Sequence, residues 1–345
     1  MLDRRVWLGL ALIFVLLEIF TRTRLFSASK DFRRFRGYPA RAEALVATPG
    51  VTRVAFVGNS ATDRGVDARV VEATLGGLGR PTRADLFVAD QSRIDTWRFI
   101  IERFFARPEL RPDLVVVTFY ENDLEDGNPV EIGRLAQFFT TVKDWPEVFT
   151  VNLHSLDDRA SFVISSGWAT YAASERIRER LLDVLIPHFR DSSERVNHII
   201  YEHEHERERA RQTAAAAAGV KVGVDAGAGG RARASSLVAL GHLLLRAADK
   251  GIHLCFVAYP TLIDGPGLPY ELPPELLATL RAAGTPFIDL RRVPTLRPDL
   301  YADEVHLNEA GRTPYSQALG EALLRVLPPV AAPPAPPAPE APPTR

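Results

Sequence analysis

The run Arg53-Val-Ala-Phe-Val57, followed at once by Gly58-Asn59-Ser60, decides how this chain is read. A short, unbroken apolar run closed by small polar turn residues fits a strand buried on both faces, as in a parallel sheet. Working outward, the same pattern recurs at Ala84–Ala89, Asp113–Phe119, Gly251–Ala258 and Pro286–Leu290. Helical patterns separate these runs: Asp67–Leu75, Thr96–Phe105, Arg231–Lys250, Pro274–Ala283 and Glu309–Leu327. The alternation predicts an α/β fold of three layers, with a five-stranded, mainly parallel sheet covered by helices on both faces and Arg53–Val57 inside it. Such sheets place their sites beyond the carboxyl ends of the strands, so chemistry is expected just after each apolar run.

The rhythm breaks over residues 126–230, which include Trp145, Trp168, the charged segment Glu202–Arg211 and the alanine run Ala214–Ala218. This stretch is too long for a bare loop and reads as a helical insertion or cap. The remaining boundaries follow: an apolar segment at 1–25, a linker at 26–49, the α/β domain at 50–327, and a solvated Pro/Ala-rich tail at 328–345.

Composition narrows the function. The chain has 345 residues, 46% hydrophobic and 25% charged, enough apolar residues for a full core. A formal net charge of −1 leaves no global field to draw in nucleic acid. Cys255 is the single cysteine, which excludes an intramolecular disulfide and argues against a thiolate metal site. Its apolar surroundings, Ile252–Ala258, suit a buried structural thiol.

Val6–Phe20 is apolar except for Glu18, with Arg4, Arg5, Arg22 and Arg24 on its flanks. As a helix it spans about 22 Å, short of a hydrocarbon core of about 30 Å, a gap that snorkelling arginines and a thinned bilayer can close. A cleaved signal peptide is the rival reading, since Ser27-Ala28-Ser29 offers small residues. Basic residues separate that tripeptide from the apolar run, which favours an uncleaved single-pass anchor. The C-terminal flank is the more basic, and charge alone would place it in the cytoplasm.

Three polar segments follow strands as the fold demands: Gly58-Asn59-Ser60, Glu121-Asn122-Asp123 and, past a short loop, Asp303-Glu304-Val305-His306. Acyl transfer needs a hydroxyl nucleophile, a base for its proton, a carboxylate to orient the base and donors for the oxyanion. Ser60 on a strand-to-helix turn offers both a hydroxyl and its own N–H. Asp303 and His306 are close enough for one loop to carry base and orienting group, and Asn122 can offer a side-chain N–H. Each piece alone is commonplace as a turn, a helix cap or a surface loop. Their order and their places at strand ends carry the argument.

With these blocks the chain resembles the SGNH (GDSL-like) hydrolase family, over about residues 50–125 and 230–327. The matching segments are Phe56-Val57-Gly58-Asn59-Ser60, Tyr120-Glu121-Asn122-Asp123, and Asp303-Glu304-Val305-His306 with Leu307-Asn308 and Gly311. The resemblance implies Ser60 as nucleophile, His306 as base, Asp303 as its orienting carboxylate, and Ser60 and Asn122 as oxyanion donors, with Asn59 and Asp123 in support. The chain departs from the pattern in three places. Asn59 stands where the family often has Asp, Tyr120 where it has Gly, and Val88-Ala-Asp-Gln-Ser92 lacks the family's glycine donor. An anchor joined to such a domain is similar to bacterial proteins that O-acylate envelope polysaccharides. That likeness implies a single-pass membrane protein with an outward-facing, periplasmic domain acting on an acylated glycan or lipid.

Other signals are weaker. His198, His203 and His205 lie among Glu202, Glu204 and Glu206, but His203 and His205 would point to different sides of a helix, which suits a solvated charged face better than a metal site. Gly227, Gly229 and Gly230 follow no apolar strand and have the wrong spacing for a dinucleotide loop. No cofactor, metal or nucleic acid is expected. Two functions of different class remain: a serine-dependent ester hydrolase or O-acyltransferase, and a catalytically inactive binding or assembly protein on the same fold.

Overall fold

The computed structural model describes residues 4–26, 29–126, 131–153, 155–174, 236–263 and 267–328, with a few positions between 177 and 186. The candidate metal cluster around His203, the glycines near 227 and the Pro/Ala-rich tail lie outside the described residues, apart from Pro328 at its start.

Five strands form one parallel sheet in the order β2-β1-β3-β4-β5. They are β1 (Thr52–Gly58), β2 (Thr82–Val88), β3 (Leu114–Phe119), β4 (Leu254–Ala258) and β5 (Phe287–Asp289). The run that opened the reading is an interior strand, with β2 on one side and β3 on the other. Because successive side chains alternate between faces, each strand feeds two cores. Ala55, Val57, Val115, Val117, Phe256 and Ala258 enter one core. Val54, Phe56, Leu114, Val116, Cys255 and Val257 enter the other.

The helices in chain order are α1 (Arg4–Phe20), α2 (Lys30–Val46), α3 (Ser60–Gly65), α4 (Ala68–Gly77), α5 (Ile94–Phe105), α6 (Leu156–Gly167), α7 (Ala169–Ala172), α8 (Val238–Lys250), α9 (Pro274–Ala282) and α10 (Glu309–Leu323). Helices α2, α5, α8 and α9 cover the first face, and α3, α4 and α10 the second. Local chemistry sets their ends. The Asp67 carboxylate accepts from Arg69 N–H at 2.9 Å and caps α4. Gly251, at φ +63°, supplies the left-handed residue that ends α8.

Residues 26–49 are not the expected linker. Most of that stretch is α2, whose Phe32, Phe35, Tyr38, Ala42 and Leu45 are buried against the first face. Its many arginines make it look polar, but its apolar residues fall on one side at helical spacing. Arg34 reaches Asp63 at 2.7 Å and Asp90 at 3.2 Å, so α2 is fastened to the helix that follows β1 and to the loop that follows β2.

In its described part the insertion is helical, as expected. Short helical turns between Ile132 and Asn152 lead into α6 and α7. It is locked to the sheet layers by Arg98 of α5, a fully buried guanidinium that bonds Glu147 and Asn152 and lies 4.0 Å over the Phe99 ring.

Candidate active site

The strand order reverses between β1 and β3, which opens a crevice at their carboxyl ends. The Ser60 turn and the Tyr120–Asp123 turn both leave their strands there. The first is as tight as it is because position 58 has no side chain: a Cβ there would collide with the hydroxyls of Thr62 and Thr118, which bond each other across the junction. Asn59 caps α3, accepting from Ala61 N–H at 3.1 Å. Ser60 is the first residue of α3, so its own N–H is one of those left without an intrahelical acceptor.

Ser60 Oγ lies 2.9 Å from His306 Nε2. The other ring nitrogen, Nδ1, lies 2.8 and 2.9 Å from the two oxygens of Asp303. The loop carrying this pair is pinned on both sides. Ala302 N–H donates to the His306 carbonyl at 2.7 Å, Leu262 N–H donates to the Glu304 carbonyl at 2.8 Å, and Tyr301 pairs with Leu307. Asn308 then caps α10 through Gly311 N–H at 3.0 Å. Gly311 is required because a Cβ would run into the Leu300 carbonyl.

Partial burial raises the Asp303 carboxyl, but hydrogen bonds from the backbone N–H groups of His306 and Val305, and from the imidazole, outweigh it and hold the carboxyl below its ordinary value. Asp303 is therefore ionised at neutral pH, with one face toward solvent and the other on Nδ1. Orienting the ring this way directs Nε2 at the serine hydroxyl.

The second turn is built differently. Asp123 is 1% exposed. It accepts from Asn59 Nδ2 at 3.0 Å and from Tyr120 N–H at 3.2 Å, and it stands 3.3 Å from Arg93 Nε. Desolvation dominates and pushes its carboxyl up to about 7 despite these partners. Asp123 thus braces Asn59, which braces the start of α3.

An open cavity of about 490 Å³ lies over these groups, walled by Asn59, Ser60, Gln91, Ser92, Arg93, Tyr120, Asp123, Glu131 and His306. Ser60, His306 and Asp303 come together as a hydrogen-bonded chain, and Asn59 and Asp123 lie directly beneath. Asn122 is half-buried in the same turn, between Glu121 and Asp123, and Tyr120 and Asp123 of that turn border the cavity. Sequence reasoning missed Gln91, Arg93 and Glu131. The signal for the first was present: the loop without a glycine still needs a left-handed residue, and Gln91 adopts it at φ +55°. Nothing in the sequence marked Arg93 or Glu131, since their role depends on how loops from different strands converge.

Among the described residues no group of three or more His, Cys, Asp or Glu side chains is placed to hold a metal ion. No protein-family model matches the chain, and no curated protein matches it significantly. One described helix, α1 with the turn after it, is long and apolar enough to cross a membrane by length and composition.

Proposed function

We propose that the chain is a membrane-tethered serine hydrolase or O-acyltransferase of the SGNH type that works through an acyl-enzyme on Ser60. The observation that carries this reading is the continuous contact from Ser60 Oγ to His306 Nε2 and from His306 Nδ1 to Asp303, made by residues about 250 positions apart in sequence. A serine hydroxyl becomes a useful nucleophile when a base accepts its proton as the bond to carbon forms.

In this reading Ser60 Oγ attacks an ester carbonyl while its proton moves to His306 Nε2. The imidazolium, held against Asp303, returns that proton to the departing alkoxide, leaving the acyl group on Ser60. His306 then takes a proton from water or from an acceptor hydroxyl, whose oxygen attacks the acyl carbon, and the imidazolium returns that proton to Ser60 Oγ as its bond to the acyl carbon breaks. In this reading the Ser60 N–H meets the developing oxyanion, and Gln91 and Arg93 on the cavity wall offer further donors to it or to the polar groups around the ester.

The cavity and the anchor support one substrate class. An open wall of Gln, Ser, Arg, Tyr and Glu suits a hydroxyl-rich acceptor better than a bare acyl chain. The helix α1 reads as a single-pass tether, supported by its length and apolar composition. Together with the SGNH-like motifs, this favours an acylated glycan or lipid of the cell envelope, with the domain on the outer, periplasmic side. A fluorophosphonate probe tests the reading: labelling of Ser60 in the native chain and not in Ser60→Ala supports it. No labelling of a folded chain would leave the non-catalytic binding or assembly role on the same fold.

A further inference from the structure

Helix α6 carries a surface that its place in the fold does not explain. Its inward side sends Phe162 and Ser165 into the protein, and Arg159 donates to the carbonyls of Leu153 and Phe149, closing that side. The outward side is Leu156, Ala160, Val163, Ile164 and Gly167, a spacing that lines one face of a helix. All are exposed, Leu156 at 80%, Val163 at 42% and Ile164 at 41%. A helix facing water normally puts charge there. The acidic residues Asp157 and Asp158 are confined to the first turn, so the end nearer α1 is the apolar one.

That end runs into α1. Trp168, which stacks on Tyr171 at 6.1 Å, meets the Phe14 ring edge-on at 5.3 Å. Glu18, the one charge inside the apolar run, accepts from Ala169 N–H at 2.8 Å, Thr170 N–H at 2.9 Å and the Thr170 hydroxyl at 3.0 Å, as well as from Arg22 Nε at 2.7 Å. Thr21 and Thr170 share a hydrogen bond at 3.1 Å. The α6–α7 corner therefore sits alongside the last third of α1, whose apolar side chains are otherwise exposed. A carboxylate in such a segment is costly unless its hydrogen bonds are supplied, and here the corner supplies them.

We propose that the α6–α7 corner is a membrane-interface surface, with the outward stripe of α6 seated in the headgroup–acyl boundary of the bilayer beside α1. The inference rests on α1 lying in that bilayer. The stripe runs to Gly167, whose carbonyl accepts from Arg22 just past α1 at 3.2 Å, so it abuts the end of that helix, and the Trp168–Tyr171 pair is the kind of amphipathic aromatic group that collects at membrane interfaces. A helix with one apolar face and an acid-marked far end lies along such an interface rather than across it.

The test uses the full chain in phosphatidylethanolamine–phosphatidylglycerol vesicles, with one added thiol per variant carrying an environment-sensitive fluorophore: Ile164→Cys, Leu12→Cys in α1, or Leu245→Cys on the exposed side of α8. The native Cys255 is buried and stays unlabelled. The expected result is blue-shifted emission at 164, quenched by lipids carrying a shallow spin label, deeper quenching at 12, and water-like, unquenched emission at 245. Quenching at 12 with water-like emission at 164 overturns the interface and leaves the tether standing. Water-like emission at both positions overturns the tether and the interface together. Emission at 164 that is shifted but insensitive to spin-labelled lipid means that protein, such as a second copy, covers the stripe, and it also overturns the proposal.

Discussion

The turns after β1 and β3 leave neighbouring strands at the same end of the sheet, and both carry Asn beside a second polar residue. One turn presents and the other fastens. After β1, a missing side chain at Gly58 lets the chain bend so sharply that Ser60 emerges at the cavity. After β3, Glu121 takes a left-handed conformation at φ +47° and Asp123 turns inward, where it is fully buried. Polar residues at strand ends are thus of two kinds. A half-exposed carboxylate such as Asp303 is held ionised by donors, whereas a buried one such as Asp123 is pushed toward its neutral form and acts as scaffold.

The comparison breaks most visibly at the presenting side. Ser60→Ala should lower turnover about 10⁴-fold or more with little change in stability, measured by ester hydrolysis beside thermal unfolding. Asp303→Asn should cost less, about 10²–10⁴-fold, because the carboxylate is half open to water and its hold on the imidazole is partly screened. An Asp303→Asn enzyme as active as the native one would show that the base needs no orienting charge.

At the fastening side the effect should move from turnover to stability. Asp123→Ala leaves the donors of Asn59, Tyr120 and Arg93 without their acceptor and should cost about 1–3 kcal/mol in urea unfolding. Asn59→Ala should cost about 1 kcal/mol as a lost cap, with a secondary fall in turnover as Ser60 loses its support. Asn122 divides the readings most sharply. As an oxyanion donor it would make Asn122→Ala cost about 10²–10³ in turnover, whereas a residue that only shapes the turn would leave turnover per folded molecule within about tenfold.

The comparison also reaches pH dependence. Asp95 and Asp123 are buried carboxyls pushed up to about 7. Each binds more protons folded than unfolded between its unfolded value near 4 and its folded value, so each makes stability fall as pH rises through that window. Carboxyls held low, Asp303 among them, act with the opposite sign and only below it. Urea midpoints should therefore decline from pH 5 to pH 8, and Asp95→Asn should flatten the decline. A midpoint that rises over this range would contradict the buried-acid account.

The sheet was legible from the chain alone because its buried interior strands β1, β3 and β4 write themselves as apolar runs, and all five expected runs are strands within a few residues of their expected ends. The Ser60, Asp303 and His306 set was legible because all three follow strands. The wall of the cavity was not. Arg93 follows β2 without any motif, and Glu131 arrives from the insertion, so only the folded path brings them to one place. The helix α2 was misread for a physical reason: its arginines dominate the composition, while the buried stripe from Phe32 to Leu45 is visible only at helical period.

That stripe has a consequence for how far the site can travel. A flexible tether over residues 26–49 would have a root-mean-square span of about 27 Å, and the cavity would sample the volume that such a leash sweeps out. With α2 packed on the sheet and Arg34 bound to both Asp63 and Asp90, that leash does not exist. The distance from α1 to the Ser60 hydroxyl is set by the fold, so with α1 in a bilayer, as proposed, the cavity would meet its substrate at one fixed height, and the search for it would run over a surface instead of through a volume.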